Sequence, residues 1–92
     1  MSDGLVMSNS VDVYIWAGSS SITVWLPTYP VDGKVITVRK LGNGGITVKT
    51  SKNMITRFNS YTTSVGLVNG EAGVFRYSDI AGLWIANREY GW

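Results

Sequence analysis

The chain contains neither cysteine nor histidine. Without thiols it forms no disulfide and offers no thiolate ligand, and without imidazole it lacks the commonest metal ligand and the usual general base. The hydroxyl clusters Ser19, Ser20, Ser21 and Thr62, Thr63, Ser64 therefore have no histidine to activate them as nucleophiles. They read as turn residues bonding their own backbone. No metal, no cofactor and no enzymatic activity is expected.

Charge is also scarce. Charged residues make up 15% of the chain and the net charge is +2, with the basic side chains scattered from Lys34 to Arg88. That is too weak for a nucleic-acid footprint; Arg39, Lys40, Lys49 and Lys52 come nearest to one and read as solvated strand positions. No apolar run approaches the roughly 18 residues of a membrane span. The opening "MSDGLVMSNS" lacks the basic and apolar regions of a signal peptide, so neither membrane insertion nor export is expected.

What remains is rich in apolar side chains, 45% of the chain, within 92 residues. This predicts one β-domain over residues 1–92, with residues 1–10 as a leader. A chain of this size buries only about 60–65% of its unfolded surface alone, so burial against another chain would add stability. Val, Ile, Thr, Tyr and Trp fill the periodic segments, and Gly, Asn or Ser separates them, the pattern of an all-β fold. Alternation in "VDVYIW" places Val11, Val13 and Ile15 on one face and Tyr14 and Trp16 on the other; in "SITVWL" it sets Ile22, Val24 and Leu26 against Thr23 and Trp25. "AGSS" between them predicts a first hairpin, and "LGNGG" between "KVITVRK" and "GITVKT" a second. Pro27, Pro30 and the Asp32–Gly33 pair place a loop between the two. Further strands are expected at 54–58, 63–68, 73–78 and 82–86, with no helix and no internal repeat. The predicted architecture is a small antiparallel β-sandwich or barrel-like domain.

"GNGG" invites a second interpretation as a phosphate cradle. Such a loop needs a following helix and a lysine, whereas a β-branched strand pattern follows Gly45. A hairpin turn is expected instead, with Asn43 and the glycines at positive φ. Among the carboxylates Asp3, Asp12, Asp32, Glu71, Asp79 and Glu89, no spacing argues for a catalytic pair. The aromatics are the strongest functional signal. Tyr14, Trp16 and Trp25 are expected to share the face opposite the aliphatic core, where they would be buried between subunits or stack on sugar rings. Tyr29 in the Pro-flanked loop is the next stacking candidate, while Trp84 in "GLWIA" reads as packing.

The run "ITVWLPTYPVDGKVITVRKLGNGGITVKT" resembles a module of bacteriophage tail fibres, tailspikes and related virion appendages: a strand ending in "LP", a "GK" leading into alternation, a Gly/Asn turn and an "ITV" return strand. "VFRYSDIAGLWIA" is similar to that family's closing hairpin. Together these motifs span residues 22–86; the segment "SYTTSVGLVNGEAG" and the aromatic first hairpin depart from the family pattern. The resemblance implies a parallel homotrimer on the virion, exposed to the extracellular medium, with roles in trimerisation and host-surface recognition and no active site. The expected function is a non-enzymatic trimerisation and host-glycan-binding module at the tip of an appendage, with Tyr14, Trp16, Trp25 and Tyr29 as ligand-binding candidates. The alternatives are a purely structural trimerisation domain, a carbohydrate-active enzyme fragment and a single-strand nucleic-acid binder.

Overall fold

A computed structural model describes residues 1–89; Tyr90 and Trp92, aromatic residues that could belong to a flexible or a packed tail by sequence, lie outside the described residues. Seven strands form one curled, mixed sheet: β1 (Val13–Trp16), β2 (Ile22–Trp25), β3 (Val35–Lys40), β4 (Ile46–Thr56), β5 (Ser60–Leu67), β6 (Ala72–Ser78) and β7 (Leu83–Arg88). The order is β1-β3-β6-β7-β4-β2, with β5 also paired to β4. Among the described residues the only helical element is the 3₁₀ turn Arg57–Asn59. The fold is all-β, as the alternation predicts.

The sheet is not antiparallel throughout. β1 with β3, β2 with β4 and β4 with β7 run parallel, while β3 with β6, β6 with β7 and β4 with β5 run antiparallel. Neither of the two expected early hairpins exists. Each predicted turn is an arch: the chain leaves one half of the sheet and enters the other, so that β1 lies beside β3 and β2 beside β4. The two arched units are in constant register, Val13 beside Thr37 and Ile22 beside Ile46, an offset of 24 residues throughout. That spacing also aligns Gly18 with Gly42 and Ile22-Thr23-Val24 with Ile46-Thr47-Val48. The chain therefore contains a two-coil repeat, contrary to the expectation of none. Its first strand and its first arch share too few identities to reveal the period in sequence.

The core lies between the halves of the curl. It takes Val24 from β2 and Leu26 just after it, Ile36 and Val38 from β3, Ile46, Val48 and Met54 from β4, and Phe75, Tyr77, Trp84 and Ala86 from β6 and β7. Trp84 and Phe75 are fully buried, each contributing about 3 kcal/mol of apolar transfer, and Trp84 packs tilted on Tyr77 with ring centroids 5.3 Å apart. β4 runs on through "TSKN" with a register shift between Lys49 and Met54. That irregularity re-aims the strand so that its first half borders β2 and its second half borders β7.

Within the segment expected as a leader, residues 4–7 lie along β2. Gly4 N donates to Thr23 O, Trp25 N to Leu5 O and Met7 N to Trp25 O, each at 2.7 Å, and Met7 is buried. The loop over Pro27 and Pro30 forms as expected, and Gly33 in its Asp-Gly turn takes φ +78°, a conformation that costs glycine almost nothing.

Candidate interaction surface

The "GNGG" arch explains its glycines, though not by dihedral angle. None of residues 42–45 lies in the left-handed region. The constraint is proximity: the 41–45 arch sits directly on the 17–21 arch. A Cβ on Gly42 would fall 2.4 Å from Gly18 O, and one on Gly44 would fall 2.1 Å from Ser20 O. Gly44 N donates to Gly18 O at 3.0 Å, Leu41 N to Trp16 O at 2.8 Å and Ile22 N to Gly45 O at 2.9 Å. The arches are thus sewn together backbone to backbone, which only residues without side chains permit.

The aromatic face expected of the first hairpin does not form. Tyr14 and Trp16 are half-buried against the core, and the aliphatic residues Val13 and Ile15 face out, 56% and 52% exposed. Alternation separates the two sets but does not say which turns inward, and here the larger rings pack against the core. Tyr14 Oη accepts from Ser8 N at 2.8 Å, and Trp16 Nε1 donates to Ser20 O at 3.2 Å. The Trp16 ring also covers the arch, 2.4 Å from where a Gly18 Cβ would stand. Trp25 lies on the other half of the sheet, 36% exposed, with the Lys49 ammonium 5.8 Å from its ring centroid. Tyr29 is 86% exposed on its loop, whose backbone is held by Asn9: Nδ2 donates to Tyr29 O and Oδ1 accepts from Val31 N. Tyr14 and Trp16 are thus taken up in packing, while Trp25 and Tyr29 keep exposed rings on β2 and on the loop that follows it.

The basic residues do not make one face either. Lys40 is buried, its Nζ donating to Gly42 O at 2.6 Å and to Asn69 Oδ1, so it ties the second arch to the turn before β6. Arg39 pairs with Glu89 at 3.1 Å. The carboxylates have similar local duties. Asp3 accepts from Thr23 N, Asp12 pairs with Lys34, and Asp32 accepts from Asp79 N. Glu71 is fully buried and accepts from Val68 N at 2.6 Å and Arg88 at 3.3 Å. Glu89 caps Ala72 N at 2.7 Å, so Glu71 and Glu89 meet at one end of β6, a proximity no sequence spacing announced. Each is tied to an arginine and a backbone amide there, and among the described residues no pocket opens beside them.

Two features escaped the sequence reading. Phe58, at the tip of the β4–β5 hairpin, is 87% exposed and sits at φ 61°, followed by Asn59 at φ 56°; the Arg57 guanidinium lies 4.8 Å from its ring centroid. The second is the outer edge of β1. Its inner edge bonds β3, Thr37 N donating to Asp12 O and Leu41 N to Trp16 O, and parallel pairing uses alternate residues on each side. The amides and carbonyls of Val13 and Ile15 thus point away from β3, and β1 ends the strand order.

No protein-family model matches the chain, and no curated protein matches it. A solved structure described as "Structure of a chaperone-substrate complex" is similar to it, with a TM-score of 0.64 and 16% identity over 92% of this chain. At that identity the likeness is one of fold. The chain covers 14% of that protein's length.

Proposed function

We propose that this domain is a non-enzymatic association module, which holds copies of its chain together. The observation that carries this reading is the unguarded outer edge of β1, uncharged over "VYIW" and flanked by the outward Val13 and Ile15. Soluble proteins ordinarily blunt such an edge with lysine, proline or a covering segment. Likeness to a small part of a much longer chain fits a module that serves a larger polypeptide. The finer assignment, a homotrimeric tail-fibre or tailspike module on a virion, rests on the resemblance of residues 22–86. Light scattering on the purified chain tests the association directly. A trimer has a mass of about 30 kDa, three times the single-chain 10.0 kDa, whereas a 10.0 kDa particle at all concentrations overturns the proposal.

Host-glycan binding is a second reading, favoured by Trp25 with Lys49 beside it and by the projecting Tyr29. An exposed ring beside a cation presents both a stacking face and a hydrogen-bond donor to a sugar. Under this reading Trp25→Ala abolishes retention on a glycan array and leaves the mass unchanged; no retention by the parent chain removes the reading.

A further inference from the structure

At one end of the curl the two halves stop at different heights. On the β2 side, residues 4–7 add a short parallel segment beyond β2, with Val6 bridged to Trp25; on the β1 side, nothing among the described residues lies beyond β1. That end is therefore a step one strand high, about 4.8 Å, and repeat stacks need their ends covered. Both levels of the step are open. Leu5 O and Met7 N bond Trp25, so by the alternation of a parallel ladder the amide and carbonyl of Val6 point away from β2, and its side chain is 53% exposed. On the lower level Val13 and Ile15 present theirs. Neither "GLVM" nor "VYIW" carries a charge or a proline, the usual guards of an edge.

We propose that the step is covered by the same step of a second copy, residues 4–7 of each chain pairing with β1 of the other across a two-fold axis. The contact deepens the association proposed above and rests on it, though not on its three-chain form. Height selects it. In a β1–β1 pairing like halves meet, and each 4–7 segment would need the layer that β2 of the other copy holds. With the halves exchanged, the overhang of each copy enters the recess of the other, and the surface is self-complementary as a two-fold interface requires. The faces agree as well. Leu5 packs against the core and Met7 is buried while Val6 faces out; Tyr14 and Trp16 pack against the core while Val13 and Ile15 face out. A 4–7 segment laid on β1 thus sets Leu5 and Met7 on the side of the two rings and Val6 beside Val13 or Ile15. The outward groups of Val6 supply two backbone hydrogen bonds at each of the two contacts, in either strand direction.

The absence of cysteine makes crosslinking a clean test. Light scattering on the parent chain is expected to give about 20 kDa, twice the single-chain 10.0 kDa. Val6→Cys is combined in turn with Val13→Cys and with Ile15→Cys, which covers the outward positions of β1. Mild oxidation of one of these pairs is expected to yield a covalent two-chain species on a denaturing gel and nothing larger, while each single variant stays single-chain. Separately, Val6→Lys with Ile15→Lys is expected to reduce the particle to 10.0 kDa with an unchanged circular-dichroism spectrum, since both side chains already face solvent. Two-chain particles in which neither pair crosslinks, or which survive the double lysine variant, overturn the stepped contact and leave the association reading standing. So does a three-chain mass, which a closed two-fold pair does not produce. Disulfide dimers from Val13→Cys or Ile15→Cys alone overturn it in favour of a β1–β1 pairing. A parent chain that is a monomer sinks both.

Discussion

Two turns of the molecule, the 41–45 arch and the tip between β4 and β5, are built on opposite principles. The 41–45 arch contains three glycines, and none of them needs a left-handed backbone; the tip at Arg57–Ser60 contains no glycine, yet it holds two consecutive residues at positive φ. In the arch, glycine is required by what lies above it. At the tip, a phenylalanine adopts the conformation glycine would take more readily, with nothing lying above it. Glycine content thus reports two different constraints, conformational freedom and close approach, and only the neighbouring chain distinguishes them.

Substitution at Gly44 should separate the constraints most sharply. Gly44→Ala puts a methyl 2.1 Å from a backbone oxygen that cannot move without unstacking the arches, so a loss of about 3 kcal/mol is expected in urea unfolding. A loss within 0.5 kcal/mol or so, the ordinary range for surface substitutions, would mean that the arches are not in contact. Gly18→Ala differs, because its obstacle is the rim of the Trp16 ring. We expect a cost of about 2 kcal/mol in the parent chain that largely disappears in a Trp16→Ala background, a coupling measured by a double-mutant cycle. Additive effects would show that the ring does not cover the arch. At the other turn the sign reverses: Phe58→Asn removes an exposed ring from a disfavoured conformation and should stabilise the fold by about 1 kcal/mol, visible as a higher Tm. A lower Tm would show that the Arg57–Phe58 contact outweighs the strain. Smallest of all, Gly45→Ala meets only the Ser21 hydroxyl, at 3.1 Å, and should cost less than about 1 kcal/mol, because a side chain can rotate where a carbonyl cannot.

Strand content was readable wherever one face is buried. Ile22 and Val24, Ile36 and Val38, and Ile46 and Val48 alternate cleanly with outward residues, and the strands Ala72–Ser78 and Leu83–Arg88 overlap the runs expected at 73–78 and 82–86. Pairing was not readable. An arch and a hairpin share the same local code of glycine between β-branched runs, and they differ in whether the returning strand bonds its predecessor or the coil beyond. Residues 51–53 escaped because Ser51, Lys52 and Asn53 occupy a strand interrupted by a register shift, which erases the period. The candidate site suffered for the same reason. Tyr14, Trp16 and Trp25 share a face only if β1 and β2 form a ribbon; once they are split between the halves of the curl, two become packing and one stays outside.

The stacked coils also bear on how fast the chain reaches this structure. The segment Ile-Thr-Val occurs at 22–24, 36–38 and 46–48, so three stretches compete for one another as partners with equal local merit. The β4–β5 and β6–β7 hairpins join near neighbours in sequence and close quickly, whereas both coil pairings span 24 residues and must discard an antiparallel alternative between adjacent runs. Only the glycine contacts of the finished arches discriminate between them. Refolding is therefore expected to be slow in its last step, with misregistered strand pairings as the traps along the way.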